Sequence, residues 1–241
     1  MNFKKLNWKL FLVILLAFFL LSYKIDKPFI GHHDWNAVFY AKIAQNTRKF
    51  GFLKTKFGAV FPFLHKTETN FRYHTHQPPM LHLLLGLEAK LIGVQEWSMR
   101  LLTILFTLTA LYFFFKIGEF LFNKKTAFVA SLFFIFNPMF LYFGKLPVHE
   151  TFGLPWLAFS IYRYMIFFQK ENRKNFFYLA LSLIIGCQTI WSAYYLVPLF
   201  IIHYFLFAKN AKKKSGRGFY WLILIPLLSF LSHLMRFFCQ I

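Results

Sequence analysis

Three short strings in an otherwise apolar chain hold side chains that could do chemistry. GHHDWN at 31–36 places Asp34 directly after two histidines, HTHQPP at 74–79 holds two more histidines, and PVHE at 147–150 ends in a His–Glu pair. Carboxylates serve as general bases, and carboxylates and imidazoles both serve as metal ligands. Ionisable groups near lipid are costly, so these strings predict catalysis or transport rather than packing.

Each string also has a structural interpretation. Asp34 could cap a helix predicted over 36–50, and Glu150 could cap the apolar segment that follows it. The histidines could bind a divalent metal ion, which is the cofactor considered, or could simply be solvated at the membrane surface. The four candidate metal ligands are His32, His33, His74 and His76.

Composition indicates the class of protein that carries these strings. Of 241 residues, 58% are hydrophobic and 37 are phenylalanine, with a mean hydropathy of +0.49. A soluble domain could not bury that much apolar surface, and several apolar runs approach the roughly 20 residues that cross a bilayer. We therefore predict an all-α polytopic membrane protein.

The charge of the chain is strongly positive, with 28 Lys+Arg against 8 Asp+Glu and a formal net charge of +20. Most cations lie at the ends of apolar segments, as in an orientation signal and in contact with anionic lipid. This pattern argues against a nucleic-acid partner and favours membrane lipids.

Hydropathy divides the chain, as a single domain over 1–241, into about seven transmembrane helices and one long loop. The first span covers 1–23, and an outer loop covers 24–97. Six further spans are predicted within 98–238, at about 98–122, 126–143, 151–168, 176–190, 193–207 and 219–238.

Two amphipathic helices, over 36–50 and 78–93, are predicted to lie along the membrane surface within the outer loop. If 78–93 crossed the bilayer instead, the short basic loops would all move outside, against the positive-inside rule. We therefore expect a plasma-membrane protein with a cytoplasmic N-terminus, and with Asp34, His76 and Glu150 on the outer side.

The order of these features resembles the GT-C membrane glycosyltransferases. An acid after the first span is followed by the YAKIAQN helix at 40–46, the HQPP string at 76–79 with its flat helix, the EWSMR string at 96–100, and a second acid after the third span. The resemblance points to the branch with Rgt-like enzymes, protein O-mannosyltransferases and the aminoarabinose transferase of lipid A. It covers essentially the whole chain.

The resemblance implies an inverting enzyme that takes a sugar from a polyprenyl-phosphate donor on the outer membrane face. The acceptor would be a hydroxyl of a glycan, a lipid or a protein. Asp34 matches the catalytic acid of the first outer loop, and Glu150 matches the acid that shapes the site. Many relatives have Asp at the second position, whereas here a Glu follows His149.

A lipid-phosphate leaving group also needs cations, and four residues are candidates for substrate binding. Arg100 and Lys145 lie near the predicted outer ends of spans, and Arg100 offers a bidentate fork. Arg100 could instead extend to lipid headgroups. His149 and His76 complete the predicted substrate-binding set.

Two other functions compete with transfer. A transporter should place its ionisable residues in mid-span, whereas here they lie at span ends and in loops. A non-catalytic subunit is the second alternative, because members of the resembled family are longer than this chain. We expect a short member or an N-terminal part of such an enzyme.

Overall fold

The computed structural model describes residues 7–61, 71–208 and 222–240, and this part of the chain is built from α-helices. In chain order they are α1 (Trp8–Ser22), α2 (Asp34–Phe50), α3 (Met80–Leu91), α4 (Glu96–Leu121), α5 (Lys124–Ile135), α6 (Pro138–Phe143), α7 (His149–Gln169), α8 (Arg173–Thr189), α9 (Ser192–Ala208) and α10 (Leu224–Gln240). The all-helical class predicted from composition is confirmed.

The predicted span over 126–143 is wrong in one respect, because the structure divides it into α5 and α6. Phe136 ends α5, and the Asn137 side chain then accepts a hydrogen bond from the backbone N–H of Met139. Pro138 follows as the first residue of α6, where its missing N–H is tolerated. A new helix therefore begins at Pro138.

Helices α4 and α7 form the centre of the structure, and the other helices pack around them. Phe106 of α4 stacks on Phe152 of α7 with ring centroids 4.5 Å apart. On its other side α7 meets the end of α8, where a Cβ added to Gly153 would lie 2.5 Å from the Ile190 side chain. This close approach explains why glycine occupies position 153.

Helices α2 and α3 pack side by side and against α4 and α7. Ile43 and Ala44 of α2 are buried with Leu81 and Leu85 of α3 in one apolar cluster. Gly86 allows the approach, because a Cβ there would lie 2.8 Å from the Thr47 side chain. The segment predicted as the outer loop therefore holds two packed helices.

The polar side predicted for α3 is largely buried. His82 and Glu88 are both less than 10% exposed, and His82 Nε2 lies 3.3 Å from the Phe57 carbonyl oxygen. Burial lowers the pKa of His82 to about 3 and raises that of Glu88 to about 8. Both groups are therefore neutral at pH 7, as burial requires.

Only α4, among the described residues, is both long and apolar enough to cross a membrane by the criteria of length and composition. Three other apolar helices are shorter, over Trp8–Ser22, Ser192–Phe207 and Leu224–Arg236. The count of seven spans and the orientation stay predictions. The basic loop predicted at 209–217 lies outside the described residues.

Replacing Glu88 with glutamine should stabilise the protein above pH 8. The folded protein holds a proton that the unfolded chain releases near pH 4.5, so stability is lost between about pH 4.5 and 8. We expect a higher unfolding temperature for Glu88→Gln at pH 8.5 and a smaller gain at pH 5. Glu150→Gln, at an exposed position, controls for the loss of one carboxylate. Equal unfolding temperatures of Glu88→Gln and wild type at both pH values would show that Glu88 is ionised in the fold.

Candidate active site

Asp34 is the first residue of α2, and its carboxylate is only 8% exposed. Oδ2 accepts a hydrogen bond of 2.7 Å from the backbone N–H of Gly31, and Oδ1 accepts one of 2.9 Å from the Tyr142 hydroxyl. The N-cap residue of α2 is His33, and neither of these two Asp34 bonds involves an N–H group of the helix. The capping interpretation is therefore wrong, and the carboxylate is positioned by tertiary contacts.

Tyr142, near the end of α6, connects that helix to the start of α2. Its hydroxyl oxygen accepts a hydrogen bond from the backbone N–H of His33 at 3.3 Å, and its hydroxyl group donates one to Asp34. Gly31 is required beside it, since an added Cβ would lie 2.9 Å from the tyrosine oxygen. Each carboxylate oxygen keeps a further lone pair. Asp34 can therefore still accept a proton from a ligand.

Arg100 holds the chain that leads into this site. Its Nη1 donates to the carbonyl oxygens of Ile25, at 2.8 Å, and Lys27, while the guanidinium lies 4.0 Å from the centre of the Phe29 ring. The side chain is buried, so it does not extend to lipid headgroups. The predicted cation is thus present beside Asp34, with two of its donors occupied by the loop.

Lys145 approaches the site from the other loop, where its Nζ donates to the Tyr23 carbonyl oxygen at 2.9 Å. Burial, followed by the nearby charge of Arg100, lowers the pKa of this ammonium. The sequence analysis missed Lys24 and Lys27, which complete a set of four cations. Nothing in their spacing distinguishes them from ordinary flanking lysines.

These side chains surround a cleft of about 470 Å³, which we call the Asp34 cleft. Its lining combines the acid, the cations and a few apolar groups: Tyr23, Lys24, Lys27, Pro28, Ile30, Gly31, Asp34, Arg100, Tyr142, Lys145 and Leu146. Such a concave site with convergent polar groups can hold a ligand of moderate size. One carboxylate among four cations suits an anionic ligand that brings a proton to be removed.

Glu150 does not line the Asp34 cleft. It is exposed in the first turn of α7 and lines a more apolar cavity of about 260 Å³ with Phe143, Gly144 and Thr151. No side-chain cap bond is present at the start of α7. The structure therefore places the two predicted acids on adjacent cavities, with the segment 142–146 contributing to both.

The remaining predicted residues lie away from the Asp34 cleft. His149 is buried, with Nδ1 3.1 Å from the Thr189 carbonyl oxygen and its ring packed against Tyr40. His76 is exposed, and its carbonyl oxygen accepts from Trp191. Neither histidine lines the Asp34 cleft, and the contacts of both are with other parts of the fold.

The four candidate metal ligands do not form one cluster. His32 and His33 lie edge to face at 4.9 Å, and His74 lies 6.4 Å from His76. Within the described ranges, no three His, Cys, Asp or Glu side chains come together in a way that could hold a metal ion.

A second cationic cavity, of about 20 Å³, lies between the outer layer and α10. Its lining includes His74, Gln77, His82, His233 and Arg236. Arg236 Nη1 is buried without a hydrogen-bond partner in the described part of the chain. This unpaired donor makes the Arg236 cavity a second candidate for an anion.

Comparison with known proteins identifies the family. Residues 76–235 match the family model described as dolichyl-phosphate-mannose-protein mannosyltransferase. The chain belongs to this family. The match confirms the family resemblance seen in the motif order, and it includes Arg100, Lys145 and Glu150. Asp34 lies N-terminal to the matched residues, so its assignment depends on the geometry above.

The fold has a counterpart among solved structures. The crystal structure of ArnT from Cupriavidus metallidurans bound to undecaprenyl phosphate superposes with a TM-score of 0.67 at 15% identity. The comparison covers 97% of this chain and 42% of that one, so the chain spans less than half the length of that relative. No curated protein sequence matches the chain. The family and the fold together indicate a membrane-embedded protein of the GT-C type.

Replacing Arg100 with lysine should destabilise the fold. The lysine side chain is shorter than the arginine whose Nη1 reaches both loop carbonyls, and it loses the planar contact with Phe29. Each buried carbonyl left unsatisfied costs about 1–3 kcal/mol. We expect a clear fall in unfolding temperature in detergent, while the same change at exposed Arg173 stays within about 0.5 kcal/mol of wild type. Equal behaviour of the two variants would contradict the role of Arg100 as the loop anchor.

Proposed function

We propose that this chain is part of a glycosyltransferase active site, which moves a sugar from a polyprenyl-phosphate donor to an acceptor hydroxyl at the outer membrane face. The observation that supports this most directly is the buried Asp34 carboxylate facing a cleft lined by four cations. Family membership supports the reaction class. The sugar transferred is a hexose or a pentose.

In the proposed step, the acceptor hydroxyl oxygen attacks the anomeric carbon of the sugar. The bond from that carbon to the phosphate oxygen breaks, and the polyprenyl phosphate leaves with the electron pair. Asp34 takes the hydroxyl proton as a general base. Attack opposite the leaving group inverts the anomeric centre. This reaction needs positioning and charge stabilisation, and the described residues can provide both.

The Asp34 carboxylate is prepared for this role by its surroundings. The carboxylate lies at the N-terminus of α2, where the positive end of the helix dipole adds to the local positive potential. Gly31 and Tyr142 hold the two oxygens in place, which reduces the freedom that must be lost in the transition state. Tyr142 is therefore a positioning residue that acts through Asp34.

The phosphate has two candidate positions. The Asp34 cleft is roomy and offers Lys24, Lys27 and Lys145 around the structural Arg100. The Arg236 cavity offers a buried unpaired donor, but at about 20 Å³ it holds little more than one water unless side chains move. We favour the Asp34 cleft because its volume can hold a phosphate group, whereas the Arg236 cavity is too small.

Glu150 has a separate part in this scheme. Its cavity is lined mainly by apolar side chains, including Phe134, Met139 and Phe140, and it adjoins the segment that carries Tyr142 and Lys145. A carboxylate at the mouth of an apolar cavity suits orientation of an amphipathic substrate rather than proton transfer. We therefore assign Glu150 to substrate positioning.

Asp34→Asn should abolish transfer without unfolding the protein. The amide oxygen can still accept from the Gly31 N–H, and the amide NH2 can donate to the Tyr142 oxygen, but the amide cannot take a proton at neutral pH. We expect a loss of roughly 10²–10⁴ in rate, measured as transfer of labelled sugar from polyprenyl-phosphate donors in membranes that contain the protein.

Asp34→Ala and Glu150→Gln complete this experiment. The alanine variant should lose both activity and stability, and Glu150→Gln should impair turnover less than Asp34→Asn. If Asp34→Asn keeps near-normal transfer while only the alanine variant is impaired, Asp34 is structural and the function reverts to a non-catalytic subunit.

The two phosphate positions are distinguished by charge-removing variants. If the Asp34 cleft binds the phosphate, Lys27→Gln with Lys145→Gln should raise the KM for the donor about tenfold or more, because charge-assisted bonds to phosphate are lost. Arg236→Gln should then change the KM little. The reverse result would move the phosphate to the Arg236 cavity and leave the role of Asp34 untouched.

A further inference from the structure

A trough on the outer side of α2 leads away from the Asp34 cleft. A cavity of about 620 Å³ shares Ile30 and Gly31 with that cleft and continues past Trp35 and Val38. A third cavity, of about 210 Å³, shares Val38 and Lys42 with the second and ends at α4. Because neighbouring cavities share lining residues, the three cavities follow one another along α2. We call the second and third together the α2 trough.

The walls of the α2 trough near Asp34 are aromatic. Trp35 is 64% exposed although it is one of the largest apolar side chains of the outer layer. Its ring centroid lies 6.4 Å from that of Phe39, which itself lies 5.6 Å from that of Phe61. Exposing aromatic rings to water is unfavourable, so a group of such rings beside a cleft is typical of a ligand-binding surface.

The far end of the α2 trough is polar. Gln45 and Gln95 project amide groups there, close to Lys42 and Glu96. Lys42 Nζ donates to Gln45 Oε1 at 3.1 Å, and Gln95 Oε1 accepts from the Trp97 indole. Both amide oxygens therefore already accept a hydrogen bond, and the amide NH2 groups keep donors for the oxygen of a ligand hydroxyl.

We infer that the α2 trough is the acceptor subsite and that the acceptor is a glycan. The hydroxyl-free face of a sugar ring packs on aromatic side chains, whereas its rim of hydroxyls needs amides and carboxylates that donate and accept. The α2 trough provides the aromatic face near Asp34 and the amides farther along it. A glycan bound there would place its terminal residue at the carboxylate.

Two other acceptor classes fit less well. A lipid chain would be served by aliphatic walls, and the polar end of the trough would stay unsatisfied against it. An extended polypeptide would be recognised through its backbone by an exposed sheet edge or a row of backbone groups, whereas the trough wall is the side-chain surface of a helix. This inference rests on the proposed transferase function for the role of the glycan as acceptor.

Binding to the chain in its Asp34→Asn form tests the inference without turnover. The probes are cellohexaose, chitohexaose and a serine- and threonine-rich decapeptide, titrated by calorimetry in detergent. We expect at least one hexasaccharide to bind, with Kd raised about tenfold by Trp35→Ala and again by Gln45→Ala with Gln95→Ala. Trp8→Ala is the matched control, because Trp8 is 62% exposed at the start of α1 and lines none of these cavities.

Each result has one meaning for the inference. Loss of affinity in the Trp35 variant but not in the Trp8 variant supports it. Binding of the decapeptide alone, glycan binding unaffected by the trough variants, or no hexasaccharide binding to a correctly folded protein would overturn it. Sugar transfer by the wild-type protein to a non-glycan acceptor would also overturn the inference, but it would agree with the proposed function. Trough-dependent glycan binding without any transfer would contradict the proposed function instead.

Discussion

The hydrogen bonds from Arg100 to the loop after α1 are the interactions on which the site depends. This guanidinium, buried in the first turns of α4, fixes the carbonyl groups of Ile25 and Lys27 and packs on Phe29. The same loop continues to Gly31, whose backbone N–H donates to the carboxylate of Asp34. Arg100, which the sequence analysis predicted as a substrate-binding cation, therefore also stabilises the loop.

Charge balance explains why so basic a chain can bury an acid at its outer surface. Taking a carboxylate out of water is costly unless donors and cations replace the lost hydration. Asp34 receives a peptide N–H and a tyrosine hydroxyl, and four cations line the same cleft. Two of the cations also donate to backbone carbonyl oxygens, Lys145 to that of Tyr23 and Arg100 to that of Ile25. The arrangement leaves net positive potential for an anionic ligand.

Sequence reasoning succeeded where period and composition determine the outcome. The helices at 34–50 and 80–91, the long helix after Glu96 and the family itself followed from hydrophobic pattern, helix signals and motif order. It failed where a contact joins distant parts of the chain. Tyr142 lies 108 residues from its partner Asp34, and nothing local in its sequence marks it. The break before Pro138 is absent from the span predicted over 126–143, because the Asn137 cap has the same local signature as any Asn-Pro pair.

The most direct measurement is a structure of the full-length protein in nanodiscs with a non-transferable sugar phosphonate on a polyprenyl chain. Our account predicts the sugar in the Asp34 cleft, with one face of the anomeric carbon open toward Asp34 at a separation that admits a single acceptor hydroxyl. The phosphonate should lie on the opposite side among the cations. A sugar seated in the Glu150 cavity, with Asp34 still bonded only to Gly31 and Tyr142, would contradict the account.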